Sequence, residues 1–258
     1  MIVCADDFGM ADDINEAILD LAQRGRLSAV SCMVALPEFR ASDLQALASI
    51  EPRIEIGLHL VLTTGDTPPR DGIVDPTFGE LLKKSLLGQI DEDATAREVE
   101  AQYRRFEEMA GRPPDFVDGH LHVHQFPVVR NAVIRFLQQI DADRRPYVRN
   151  NAMPLSKIWR QQVSVAKCFA LSRFGDAFQR AVSAAGLRTN RGFAGVYDYR
   201  TYAAYPEYLR RFVDYMEDDT GILMTHPGTH EPWRRAEYET LRDTALLTGR
   251  VNRFVRQA

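Results

Sequence analysis

Short apolar runs alternate with segments of helical periodicity along this chain, and that alternation constrains its fold more than any single motif. "MIVCA" reads as a buried strand, and the segment after it puts Ile14, Ala17, Ile18 and Leu21 on one helical face. "LSAVSCMVAL" and "RIEIGLHLVL" read as two more strands, with a short helix around "ASDLQALASI" between them and the loop "TTGDTPPRDG" after the second. A capped, charged helix is expected over roughly 92 to 110, stopped by "GRPP". Next come the strand "DFVDGH", a helix with Val129, Ala132, Val133, Phe136 and Ile140 in phase, and the short strand "PYVRN". Two helical segments follow over roughly 155 to 186, then "RGFAGVYDY" as a turn or strand. "EYLRRFVDYMED" reads as a helix, "GILMTH" as a strand, and the last ~25 residues as helix again. Strands alternating with helices mean βαβ units and a mostly parallel α/β sheet. About six or seven such units suit one TIM-like (β/α) barrel, closed or incomplete, and no Ser/Gly/Pro-rich linker divides residues 1–258 into two domains.

The polar residues then fall where such a fold puts its chemistry. Histidine is scarce, six in 258 residues, yet "DGHLHVHQFP" holds three. On an extended segment the two-residue period sends Asp118, His120, His122 and His124 to one side, which describes the wall of a polar site rather than a core face. Asp6 and Asp7 end the first strand, His59 the third, Arg149 ends "YVR", and His226 ends "GILMTH" with His230 four residues on. Active sites of parallel α/β folds lie at these C-terminal strand ends. Two or three histidines with one carboxylate make a catalytic divalent-metal site with an open position. Such an ion polarises a carbonyl and activates water. Adjacent Asp6 and Asp7 allow one to ligate while the other takes a proton, and His226 can protonate a leaving group. Taken singly, the aspartate pair could cap a helix, His59 could be a core histidine and His226 a turn residue. Their joint placement at strand ends favours a site for metal-assisted hydrolysis of an amide or ester.

Bulk properties exclude other classes. The charge of −4, from 32 basic and 36 acidic side chains, offers no footprint for nucleic acid or an anionic membrane. Cys4, Cys32 and Cys168 form no zinc-type pair or disulfide framework, so they read as small apolar core residues in a reducing compartment. No signal-like start is visible and no apolar run approaches the ~20 residues of a membrane span, so the expected location is the cytoplasm.

The "ADDFG" strand end with "IN" and "AI" on the next helix resembles the YdjC-like carbohydrate deacetylases, which include chitooligosaccharide deacetylases and the hopanoid-associated HpnK proteins. So do "IGLHLVLT", "GRPPDFVDGHLHVHQFP" and "THPG", and the resemblance runs from about residue 3 to residue 230. It implies a TIM-like barrel, one divalent metal ion, and removal of an N-acetyl group from an acetylated amino sugar. Carried over, it implies Asp7, His59 and His120 as metal ligands, Asp6 as general base by analogy with metal-dependent polysaccharide deacetylases, and His226 as general acid. Arg149 would orient the base or bind substrate. His120 and His124 also form an H-x-x-x-H pair, but on extended chain they lie about 13 Å apart. One of the trio would then ligate and His122 and His124 would line the substrate pocket, unless the chain turns into helix there. Phe193, Tyr197 and Tyr199 are expected as sugar-stacking platforms, weighed evenly against ordinary barrel packing. Two histidines and a carboxylate suit Zn2+ by softness, whereas members of the family carry Mg2+, so both stay open. The expected partner is a small-molecule or oligosaccharide substrate, with a homo-oligomer compatible. The rival readings are a barrel metallohydrolase acting on phosphate esters or another acyl group, and a binding protein that has lost catalysis. The first would want more basic residues than Arg149 or a second ion, and the second finds every catalytic position filled by a competent residue.

Overall fold

A computed structural model describes residues 1–37, 39–63, 77–216 and 221–252. Seven strands form one parallel sheet: β1 (Ile2–Phe8), β2 (Ala29–Cys32), β3 (Glu55–Leu60), β4 (Phe116–Gly119), β5 (Tyr147–Val148), β6 (Gly192–Ala194) and β7 (Gly221–Thr225). Their order is β5-β4-β3-β2-β1-β7-β6, so the sheet curls into an incomplete TIM-like barrel with β5 and β6 at its edges. The helices are α1 (Asp12–Gln23), α2 (Ala41–Ala48), α3 (Phe78–Leu86), α4 (Glu92–Ala110), α5 (Pro127–Gln138), α6 (Leu155–Gln161), α7 (Val165–Ala184), α8 (Tyr205–Tyr215) and α9 (Pro232–Asp243).

Strand periodicity sorts side chains into two cores. Val3, Ala5, Val30, Leu58, Val117, Val148 and Leu223 pack under the helices. Ile2, Cys4, Ala29, Phe116, Tyr147, Phe193, Ile222 and Met224, in the opposite phase, fill the barrel interior. Gly57 shares the inward phase, and a Cβ there would meet the Phe116 ring at 2.3 Å, so the glycine makes room for that ring. Continuing the inward phase toward the C-terminal ends reaches Asp6, Ser31, His59, Asp118, Arg149 and His226. An apolar floor is therefore overlaid by a polar layer.

The open side between β5 and β6 is bridged before β6 begins. The Val148 N–H donates to the Arg188 carbonyl at 2.9 Å, and the Thr189 hydroxyl donates to the Val148 carbonyl at 2.7 Å. Ile158 of α6, with Met153 ahead of it, packs into the interior cluster.

The element order expected from periodicity holds, with two differences. Helix α3, capped by the Thr77 hydroxyl and the Glu80 carboxylate, lies in a stretch where the sequence reading placed no element. The C-terminal helix stops at Asp243, short of the helical tail expected, and residues 253–258 lie outside the described ones. The expected loop "TTGDTPPRDG" also lies outside them, apart from Thr63. The three cysteines are buried free thiols, as expected. Among the described residues no helix is long and apolar enough to cross a membrane.

Candidate metal centre

Asp6 and Asp7 are neighbours, and a regular strand would turn them to opposite faces. The β1–β2 register shifts between Ala5 and Phe8, and Asp7 sits at φ 68°, in the left-handed region. This bulge turns Asp7 into the same space as Asp6, a sparsely populated conformation held at a polar site. Both carboxylates are buried.

Each has its own set of partners. Arg149, fully buried at the end of β5, forks onto Asp6 with both N–H···O distances at 2.7 Å. The same guanidinium lies 2.9 Å from Asp118 Oδ2. Asp118 Oδ1 accepts from His59 Nδ1 at 2.6 Å and from the Ser31 hydroxyl at 2.5 Å. With Nδ1 committed, His59 presents Nε2 toward Asp7 Oδ1 at 3.5 Å. His120 Nδ1 reaches the same oxygen at 3.0 Å, and its Nε2 is buried without a partner. Asp7 Oδ2 accepts from Arg234 of α9 at 2.8 Å.

One oxygen of Asp7 and two imidazole nitrogens therefore converge, with ligand atoms all within 4.8 Å of one another. Two imidazoles and a carboxylate are the donor set of a catalytic divalent-cation site, and a carboxylate–histidine pair behind it is the usual orienting arrangement. The electrostatics agree. Burial alone would keep His59 neutral, yet Asp118, Asp7 and Asp6 push it up to about 10. Burial likewise opposes the charge of Asp7, but His120, His59 and Arg234 hold its carboxyl well below the ordinary range. The pocket thus attracts positive charge, and these residues fit a divalent ion. A second convergence, Cys4, Asp6 and Asp118, already has the Arg149 guanidinium between its two carboxylates.

His226 follows β7. Its ring meets Tyr199 and Trp233 edge-on at 5.8 and 5.9 Å, and its Nδ1 is buried without a partner. Burial presses it down to about 4 against the pull of Asp7 and Asp6, so the imidazole is neutral near neutral pH. His230 is exposed at the rim, beside Asp13.

The histidine trio does not run along one extended wall. Strand β4 ends at Gly119, and residues 120–125 form a kinked 3₁₀ turn with Leu121 and His122 at φ 53° and 61°. The two-residue period therefore stops at His120, which alone joins the ligand cluster. His124 turns into the core, its Nε2 2.8 Å from the Arg149 carbonyl and its ring edge-on to Phe178. The ring of His122 lies edge-on to Phe193. Burial lowers both, His124 to about 4. Phe193 and Tyr197 are fully buried: the first packs in the barrel interior beneath Arg149, and the second donates its hydroxyl to Glu237. Neither presents a ring face for stacking a sugar. The half-buried aromatics beside His226 are Tyr199 and Trp233, stacked at 4.1 Å.

Four supporting residues were not singled out in the sequence: Ser31, Asp118 as the partner of His59, Arg234 and Glu237. Ser31 shares the inward phase of its strand, a signal that was available. Arg234 and Glu237 sit in "PWRRAEYETLRD", whose mixed charges carry no local signal that two of them are buried.

The family model described as YdjC-like protein matches residues 1–249. Chitooligosaccharide deacetylases of Yersinia pestis (strain Pestoides F) and Yersinia pseudotuberculosis serotype O:1b (strain IP 31758) are 33% identical to this chain over 144 residues, 54% of its length and 56% of theirs. The chain thus spans about half the length of the curated relatives it matches. A crystal structure from Enterococcus faecalis V583, described as a proposed cellobiose-phosphate cleavage protein, superposes with a TM-score of 0.68 over 98% of this chain and 96% of that one. At 17% identity that likeness concerns the fold.

Proposed function

From the premise that the chain belongs to the YdjC-like family, we propose that it is a metal-dependent deacetylase removing the N-acetyl group from an acetylated amino sugar, of chitooligosaccharide or glycolipid-linked type. The observation that carries this reading is the convergence of Asp7, His59 and His120 beside the Asp6–Arg149 fork, with the buried, unpartnered Nδ1 of His226 in the same layer. The reading treats residues 1–258 as one deacetylase domain. Its relatives' names supply the substrate class, since chitooligosaccharide deacetylases act on an acetylated amino sugar.

Asp7, His59 and His120 would hold the ion, Zn2+ or Mg2+, which when bound polarises the acetamide carbonyl and eases deprotonation of water. Asp118 and Ser31 keep the His59 ring oriented, and Arg234 leaves one Asp7 oxygen for the ion. Asp6, aimed by Arg149, accepts a proton from the attacking water. His226 delivers a proton to the departing amine. As its ring is neutral near neutral pH, the proton it delivers is the one released by the attacking water, passed on from Asp6.

A second reading of the proton transfers rests on that neutrality and on Arg149 engaging both oxygens of Asp6. His226 could take the proton from water itself, leaving Asp6 an electrostatic role. Asp6→Asn would then keep measurable turnover and His226→Ala none, whereas an Asp6 base requires both variants to be inactive. His226→Ala should retain the metal in either case. Phosphate esters are disfavoured as substrates because both arginines at the centre, Arg149 and Arg234, are already engaged by carboxylates.

The deciding experiment is acetate release from N-acetylglucosamine, short chitooligosaccharides and an acetylated glycolipid, after chelation and after adding back zinc or magnesium. Release abolished by chelator and restored by one metal supports the reading. A metallated protein that releases acetate from none of them overturns it.

A further inference from the structure

Helix α9 brings a buried carboxyl to the site that the chemistry above does not use. Glu237 is 1% exposed. Its Oε2 accepts the backbone N–H of His226 at 2.6 Å, and its Oε1 accepts the Tyr197 hydroxyl at 2.8 Å. A carboxyl is a costly group to bury, and packing alone would be served better by an apolar side chain. One turn earlier on the same helix, Trp233 places its indole against the His226 ring, and the intervening Arg234 holds Asp7. The approach of Tyr197 is also built in. Gly195 lies at φ 105°, where a Cβ would meet the Met224 carbonyl oxygen at 2.1 Å, so only glycine lets the chain leave β6 this close to β7.

We propose that Glu237 is a positioning residue for His226: its carboxyl fixes the peptide that follows β7, while Trp233 and Tyr199 fix the ring, so that the imidazole is aimed into the site. This inference rests on reading His226 as the proton-transferring residue. Glu237 touches no reacting atom and acts through the His226 backbone N–H. A residue that merely holds the fold would, when removed, disturb the metal ligands as well. A positioning residue disturbs His226 alone.

The test compares Glu237→Ala with Glu237→Gln, whose amide oxygen can still accept the His226 N–H. In a ¹H–¹⁵N spectrum of the intact protein, the His226 amide proton should lie far downfield, move upfield in the Ala variant and return most of the way in the Gln variant. Metal content and KM should stay near those of the parent in both. Turnover of the Ala variant should fall on the order of 100-fold, as expected for a catalytic group displaced by about 1 Å. The Gln variant should recover most of it. A His226 amide in the ordinary range in the parent protein would overturn the inference whether or not the protein is a deacetylase. So would an Ala variant with unchanged turnover, or one that loses metal and turnover together. If the Ala variant fails to fold, the Gln variant decides: full loss of turnover despite a retained downfield amide proton would also overturn it.

Discussion

Asp118 divides its oxygens between His59 and Arg149, and so couples the ligand side of the site to the Asp6 side. Removing its charge leaves the His59 ring free to turn. Asp118→Asn should lower metal affinity about 10–100-fold in a competition titration, the usual cost of losing an orienting partner. Unchanged affinity would show that packing alone orients His59. Glu237 makes a different residue-scale prediction. Burial lifts it from an ordinary 4.5 to about 7, against the donors around it. A carboxyl raised in the folded state binds its proton more tightly there. Its contribution is therefore fully present below about 4.5 and is lost as pH rises through about 7. Glu237→Gln has no proton to lose, so its unfolding free energy relative to the parent should rise between about pH 5 and pH 8, by up to about 3 kcal/mol. A pH-independent difference would mean that the carboxyl does not titrate in the fold.

Helix α6 shows what an element contributes: Ile158 reaches into the barrel interior while Leu155, less than one turn earlier, is 56% exposed. Ile158→Ala should cost about 2–5 kcal/mol in denaturant unfolding, the usual range for a buried Ile truncated to Ala. Leu155→Ala should change stability by less than about 0.5 kcal/mol, as an exposed substitution does. Equal effects would mean that Ile158 does not anchor α6 to the interior. The kinked turn after β4 makes the complementary point. The histidine spacing of "HLHVH" fits an extended chain, but only His120 keeps the inward phase, because two successive left-handed residues take the chain off the strand. Sequence periodicity places β4 and fails one residue past its end, where local backbone conformation is chosen by packing against Phe178 and Phe193.

For the whole molecule, the barrel is an apolar floor carrying a layer of buried acids, arginines and histidines, whose charges offset one another only in the folded state. An ion bound by Asp7, His59 and His120 binds that state and not the unfolded chain. Adding zinc or magnesium at about one hundred times its dissociation constant should stabilise the protein by about 2.7 kcal/mol, read as a higher unfolding midpoint that chelator reverses. No shift with either ion would argue against a metal centre at these three residues.

The amino-acid sequence by itself determined the alternation of strands and helices, the parallel sheet, and the places where Asp6, Asp7, His59, His120, Arg149 and His226 leave their strands. These follow from periodicity and from residue types at strand ends, which are local properties. Tertiary structure alone decided that a bulge at Asp7 would turn both aspartates inward, that the chain would kink after His120 and send His124 into the core, and that Phe193 and Tyr197 would be buried. It also decided that Arg234 and Glu237, from the C-terminal helix, would support Asp7 and His226. Those outcomes depend on which buried charge finds which partner across more than two hundred residues of sequence separation between Asp7 and Arg234, and no local pattern encodes that choice.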